Sequence, residues 1–83
     1  EAGHPQPQDI FLLVEVADST VETDREVKIP LYAESGIVEA WLVDLNAQCI
    51  EVYRNPTPTD YQIKQKYYRG QTLSIQAFDI IQR

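Results

Sequence analysis

The feature that most constrains this chain is one charged residue inside an apolar run. Ile10 to Ala17 reads IFLLVEVA, and Glu15 is its only ionisable side chain. The run is apolar on both alternating faces, the pattern of a central strand covered on both sides. On the strand period Phe11, Leu13, Glu15 and Ala17 share one face, and Ile10, Leu12, Val14 and Val16 share the other. An ionised glutamate in such a strand costs roughly several kcal/mol unless a cation or a donor meets it. A positive group is therefore expected opposite Glu15.

The next segment supplies one. Asp18-Ser19-Thr20 reads as a loop with good N-cap residues, followed by a helix over about residues 22–35. At 100° per residue, Val27, Leu31, Asp24, Ser35, Lys28 and Tyr32 fall within one broad arc that should pack on the sheet. Glu22, Glu26, Ile29 and Ala33 fall on the opposite side. Lys28 lies at the border of the packing arc, with Asp24 and Tyr32 one turn to either side. Pro30 predicts a kink in this helix, and Gly36 a C-terminal cap.

Ala40 to Leu45, AWLVDL, is the next strand. Strand, helix and strand in this order make a crossover, so the two strands should run parallel. Asn46-Ala47 reads as a tight turn in which Asn takes positive φ. Cys49 to Arg54 returns antiparallel, Asn55 to Asp60 is a proline-rich loop, and Tyr61 to Tyr68 is a strand with one wet face. Leu73 to Ile81 reads as a short terminal strand or docking segment. Residues 1–9, with two prolines, a glycine and two glutamines, read as a linker, and residues 10–83 as one domain. The fold class is α/β: a mixed β-sheet with one packed helix.

With 83 residues the chain has room for one small domain. It opens on Glu1 and holds no methionine, which reads as a processed or truncated piece. Its net charge of -6, 13 acids against 7 bases, argues against a general polyanion-binding surface. It leaves room for a carboxylate site that engages phosphate through a divalent cation. Cys49 is single, so no internal disulfide forms, and it reads as a small buried side chain. No run approaches the roughly 20 apolar residues of a membrane span, and the cytoplasm is the default compartment. His4, the sole histidine, has no second ligand at metal-binding spacing and reads as a solvated linker residue.

The run from LLVEVADST through DREVKIPLYAESGI to EAWLVDL, then IEVYR and later YYRGQTLS, resembles the C-terminal half of the Uma-type, restriction-endonuclease-like family. That family is a branch of the PD-(D/E)XK nuclease superfamily, and the resemblance covers the chain from about Asp9 onward. It implies that Glu15 is an acidic metal ligand and that Lys28 is the catalytic lysine. In most of the superfamily the lysine follows the acid by two residues on the same strand. Ala17 holds that position here, and Lys28 fits a pattern in which the lysine has moved to the adjacent helix. By analogy the Val16 carbonyl is a further metal ligand. The second metal-holding aspartate lies upstream in the family, and Asp9, which does not follow a proline, does not match it.

Phosphodiester cleavage of this kind needs carboxylates to hold Mg²⁺ (or Mn²⁺) and a lysine to orient water or stabilise developing charge. The resemblance therefore implies a metal-dependent DNA endonuclease, inactive alone without the upstream aspartate. The competing reading is a degenerate, non-catalytic nuclease fold kept as an oligomerisation or interaction module, with a buried Glu15–Lys28 ion pair and no metal. Because the first strand wants cover on both sides, a homo-oligomer is expected. Asp24 reads as a helix-start charge or a support for Lys28, Tyr32 as core-edge packing or a site wall, and Asp44 as facing a polar neighbour. Lys64, Lys66, Tyr67, Tyr68 and Arg69 form a basic and aromatic cluster, read as a solvated strand face.

Overall fold

The structure, a computed structural model, describes residues 11–71. The linker assigned to residues 1–9, His4 and the terminal segment at 73–81 lie outside the described residues. Four strands form one sheet in the order β1-β2-β3-β4: β1 (Leu13–Ala17), β2 (Glu39–Asp44), β3 (Cys49–Pro56) and β4 (Tyr61–Tyr68). β1 and β2 pair in parallel, as the crossover requires, and the other two pairs are antiparallel. The sheet is mixed, and one helical stretch packs on one side of it. The expected fold class holds.

That stretch is α1 (Val21–Thr23), a π-helical segment (Asp24–Lys28) and α2 (Ile29–Glu34) in unbroken succession. The π segment ends at Lys28, two residues before Pro30. A proline in an α-helix lacks the N–H for its own bond and collides with the carbonyl four residues back. The wider turn, in which the Ile29 N–H bonds the Asp24 carbonyl, absorbs that conflict without a break.

The same turn corrects the expected packing face. Val27 and Leu31 are about half exposed, whereas Asp24, Ile29 and Ala33 are buried. A uniform 100° step ignores the residue added by i→i+5 bonding. With that residue counted, Ile29 and Ala33 join Asp24 and Tyr32 on the sheet side, and Val27 and Leu31 rotate away. Gly36, at φ +83, closes the helix: its N–H bonds Ala33 O at 2.9 Å, and the Ile37 N–H bonds Tyr32 O at 3.0 Å.

The buried core is the helix-facing side of the sheet. Ala17, Ala40, Leu42, Tyr53 and Tyr61 meet Ile29 and Ala33 there, with Val21 and Tyr32 at the margin. The Tyr61 hydroxyl donates to Ile37 O at 2.7 Å, which ties β4 to the segment after the helix.

Three further expectations are corrected. β1 is an edge strand of the described sheet and shorter than the apolar run; Val14 and Val16 on its outer side are 49% and 59% exposed. Apolar composition on both faces thus does not prove cover on both faces. In the β2–β3 turn Gln48, not Asn46, takes positive φ (55°), while the Asn46 amide donates to Asp18 O at 3.0 Å. Thr20 precedes the helix but makes no side-chain cap bond; its hydroxyl turns to Asp24 instead, at 3.3 Å.

Candidate metal and catalytic site

Strand alternation and register place Glu15, Leu42, Glu51 and Lys66 in one row across the helix-facing side of the sheet. The helix above it meets each carboxylate of that row with one cation. Lys28, the last residue of the π segment, bonds Glu15 Oε2 at 3.2 Å. Its Nζ also lies 3.3 Å from Asp24 Oδ1. The Tyr32 hydroxyl, from the next turn, donates to Glu15 Oε1 at 2.7 Å. The structure thus brings together Glu15, Lys28, Asp24 and Tyr32, with Thr20 behind Asp24.

Exposure differs sharply within this group. The Asp24 side chain is 3% exposed, that of Glu15 21%, and that of Lys28 47%. Glu15 is therefore reachable from solvent at the rim of the helix–sheet interface. The hydrogen bonds to Glu15 and then Asp24 raise the Lys28 pKa, so the ammonium stays charged at neutral pH. Burial first, and the bond to Glu15 second, push the Tyr32 phenol up to about 12, so it acts as a donor. Val16 points its side chain to the other side of the sheet, and only its main-chain carbonyl is available beside Glu15.

These groups suit a hard divalent cation in donor type. Glu15 and Asp24 offer carboxylate oxygens that converge on one point, now held by Lys28 Nζ. Lys28 has a flexible, exposed stem and can swing aside, whereas Asp24 is shut beneath it. Glu15 with a neighbouring carbonyl is the open part of the set.

A second acidic group lies at the far side of the helix. Asp44, Cys49 and Glu51 are buried and carry possible ligand atoms within 4.8 Å of one another. Sequence reasoning did not single out Glu51 or its partner Arg25. The Arg25 guanidinium grips Glu51 through Nε at 2.9 Å and Nη2 at 2.5 Å, and stands 3.8 Å from Asp44. The Tyr53 hydroxyl also donates to Glu51. Burial raises the Glu51 pKa, but the bonds from Arg25 and Tyr53 outweigh it and hold the carboxyl below its usual range. Burial, with Asp44 and Glu51 nearby, pushes the Cys49 thiol up, away from the thiolate a metal needs. A fixed guanidinium already supplies the positive charge here, so this group is the poorer metal site. The alternation of Cys49, Glu51 and Tyr53 along β3 puts them on one strand face, but does not say which side of the sheet that face takes.

A parallel strand–helix–strand crossover, extended by two antiparallel strands and covered by one helix, makes this an α/β domain with a carboxylate and a lysine facing each other across the helix–sheet interface. The sequence model of the Uma2 family, described as "Putative restriction endonuclease", matches residues 1–81, and the chain belongs to that family. No curated protein and no solved structure matches it. Among the described residues no helix is long and apolar enough to cross a membrane.

Proposed function

We propose that the Glu15–Lys28 pair is the working half of a metal-dependent site for hydrolysis of DNA phosphodiester bonds. The observation that carries this reading is the 3.2 Å contact between a partly open strand carboxylate and a helix lysine. Glu15 and the Val16 carbonyl would hold Mg²⁺ or Mn²⁺, which supplies Lewis acidity at the phosphate. Lys28 would orient the attacking water or stabilise the charge that develops on the phosphoryl oxygens. Tyr32 positions Glu15 through its 2.7 Å bond, and Asp24 positions Lys28. This family chemistry uses two metal-holding carboxylates, and Asp24 is too enclosed to serve as the second. We therefore infer that nicking by the 83-residue chain alone is slow and that metal binding is its more sensitive readout.

A second reading has an observation of its own. The Lys28 ammonium already sits between Glu15 and Asp24, so each carboxylate has a cationic partner without a metal. That favours a non-catalytic descendant of the fold. Plasmid nicking in Mn²⁺ by wild type and Glu15→Gln separates the two. Cleavage by wild type that is lost in the variant supports the enzyme; equal nicking by both removes Glu15 from the mechanism.

A further inference from the structure

The chain carries an excess of acids, yet its charge is not evenly spread. From Tyr61 to Phe78 there is no carboxylate, while Lys64, Lys66 and Arg69, three of the seven cations, lie within that stretch. On β4 the two-residue period puts Lys64, Lys66 and Tyr68 on the helix-facing side, in register with Tyr53, Glu51 and Cys49. Cations spaced by two strand residues stand about 6.8 Å apart, a regular file of positive charge. Lys64 and Lys66 form one wall of a groove of about 330 Å³ whose other wall is Arg25 and Tyr53.

The Arg25 guanidinium is spent on carboxylates: it clasps Glu51, bonds Glu22 at 2.8 Å and stands 3.8 Å from Asp44, so the cations left to a ligand are those of β4. Lys64 is held at 2.7 Å by Asp60, but its side chain is 53% exposed. Lys66 is exposed and stands in register with Glu51, whose charged form it favours, without a salt-bridge contact among the described residues. Beyond it, Tyr68, 53% exposed, and Arg69 line a second hollow of about 520 Å³. A file of cations that ends in an open aromatic ring suits a phosphate backbone with a base free to stack. Glu22 and Glu26 on the outer side of the helix repel such a ligand, so it should follow β4 rather than cross the helix.

We propose that β4 is a track for one DNA strand, with Lys66 as its principal phosphate contact, Lys64 and Arg69 flanking it, and Tyr68 as a stacking platform. The track rests on the DNA reading of the Glu15–Lys28 site but needs no metal, which lets the two be tested apart. The experiment is fluorescence anisotropy of a fluorescein-labelled oligothymidine with the 83-residue chain in EDTA, across a range of salt concentrations. Wild type should bind. Lys66→Glu should bind about tenfold more weakly and lower the salt slope by about 1, while Lys66→Arg binds as wild type does. Glu15→Gln should bind normally in EDTA. Absence of binding by wild type, or an unchanged affinity and slope in Lys66→Glu, overturns the track. If Lys66→Glu weakens binding while Glu15→Gln still nicks plasmid, the track stands and the metal-site reading fails.

Discussion

Glu15 and Glu51 occupy the same row of the sheet, two strands or about 10 Å apart, with buried Leu42 between them. Each is met by one cation from the π segment and one tyrosine hydroxyl. Their settings nevertheless diverge. Glu51 lies on an inner strand, 3% exposed, and is clasped by a planar guanidinium through several bonds. Glu15 lies on an edge strand and is met by a single bond from an exposed ammonium. An arginine fork fixes geometry and never loses its charge; a lysine is a mobile point charge on a flexible stem. The lesson is that two similar acid–base contacts can differ in kind, one enclosed and fixing the helix on the sheet, the other left open to solvent.

The largest expected effect strikes the first contact. Arg25→Met leaves Glu51 buried beside Asp44 without its clasping guanidinium and should cost about 3 kcal/mol, lowering Tm by more than about 10 °C. Lys28→Met should lower Tm by less than that, because the ammonium it removes is half exposed, although it leaves buried Asp24 with only the Thr20 hydroxyl. Equal losses in thermal melts of the two variants would erase the distinction.

Acid should separate them next. Glu51 has a folded pKa below its ordinary value of 4.5, so its contribution is present above that value and is lost as pH falls through the folded one. Lys28 has a folded pKa above 10.5, so its contribution is intact below that value and is lost as pH rises through the folded one. Melting curves across pH should show an acid limb that flattens in Arg25→Met and an alkaline limb that flattens in Lys28→Met.

Smaller effects refine the open contact. Tyr32→Phe removes one donor from Glu15 and should cost about 1 kcal/mol. Ultraviolet titration of the same variant should lose the phenol that ionises near pH 12. Thr20→Val removes the 3.3 Å bond to Asp24 and should cost about 0.5 kcal/mol, detected by denaturant titration.

Much of this was legible in the sequence because the signals were local. Alternation around Glu15, the strand–helix–strand order and Gly36 each state their structure within a few residues. The Glu15–Lys28 contact followed from the cost of an unmet charge in an apolar run. The packing face of the helix was not legible, because an α-helical wheel has no place for the π turn that Pro30 brings with it. The Arg25–Glu51 contact was hidden for a different reason: it joins residues 26 positions apart, and only the register of β3 against β2 shows that Glu51 points at the helix. Gln48 at positive φ, two residues after an asparagine better suited to it, follows from where the β2–β3 turn closes rather than from residue preference.

The division between the two contacts is tested most directly by Mn²⁺ titration calorimetry on wild type, Glu15→Gln and Cys49→Ala. Metal binding should vanish in Glu15→Gln and persist in Cys49→Ala. Binding that survives loss of the Glu15 carboxylate and disappears with the Cys49 thiol would move the metal to the Asp44–Cys49–Glu51 group and contradict the assignment of Glu15 as the open, reactive acid.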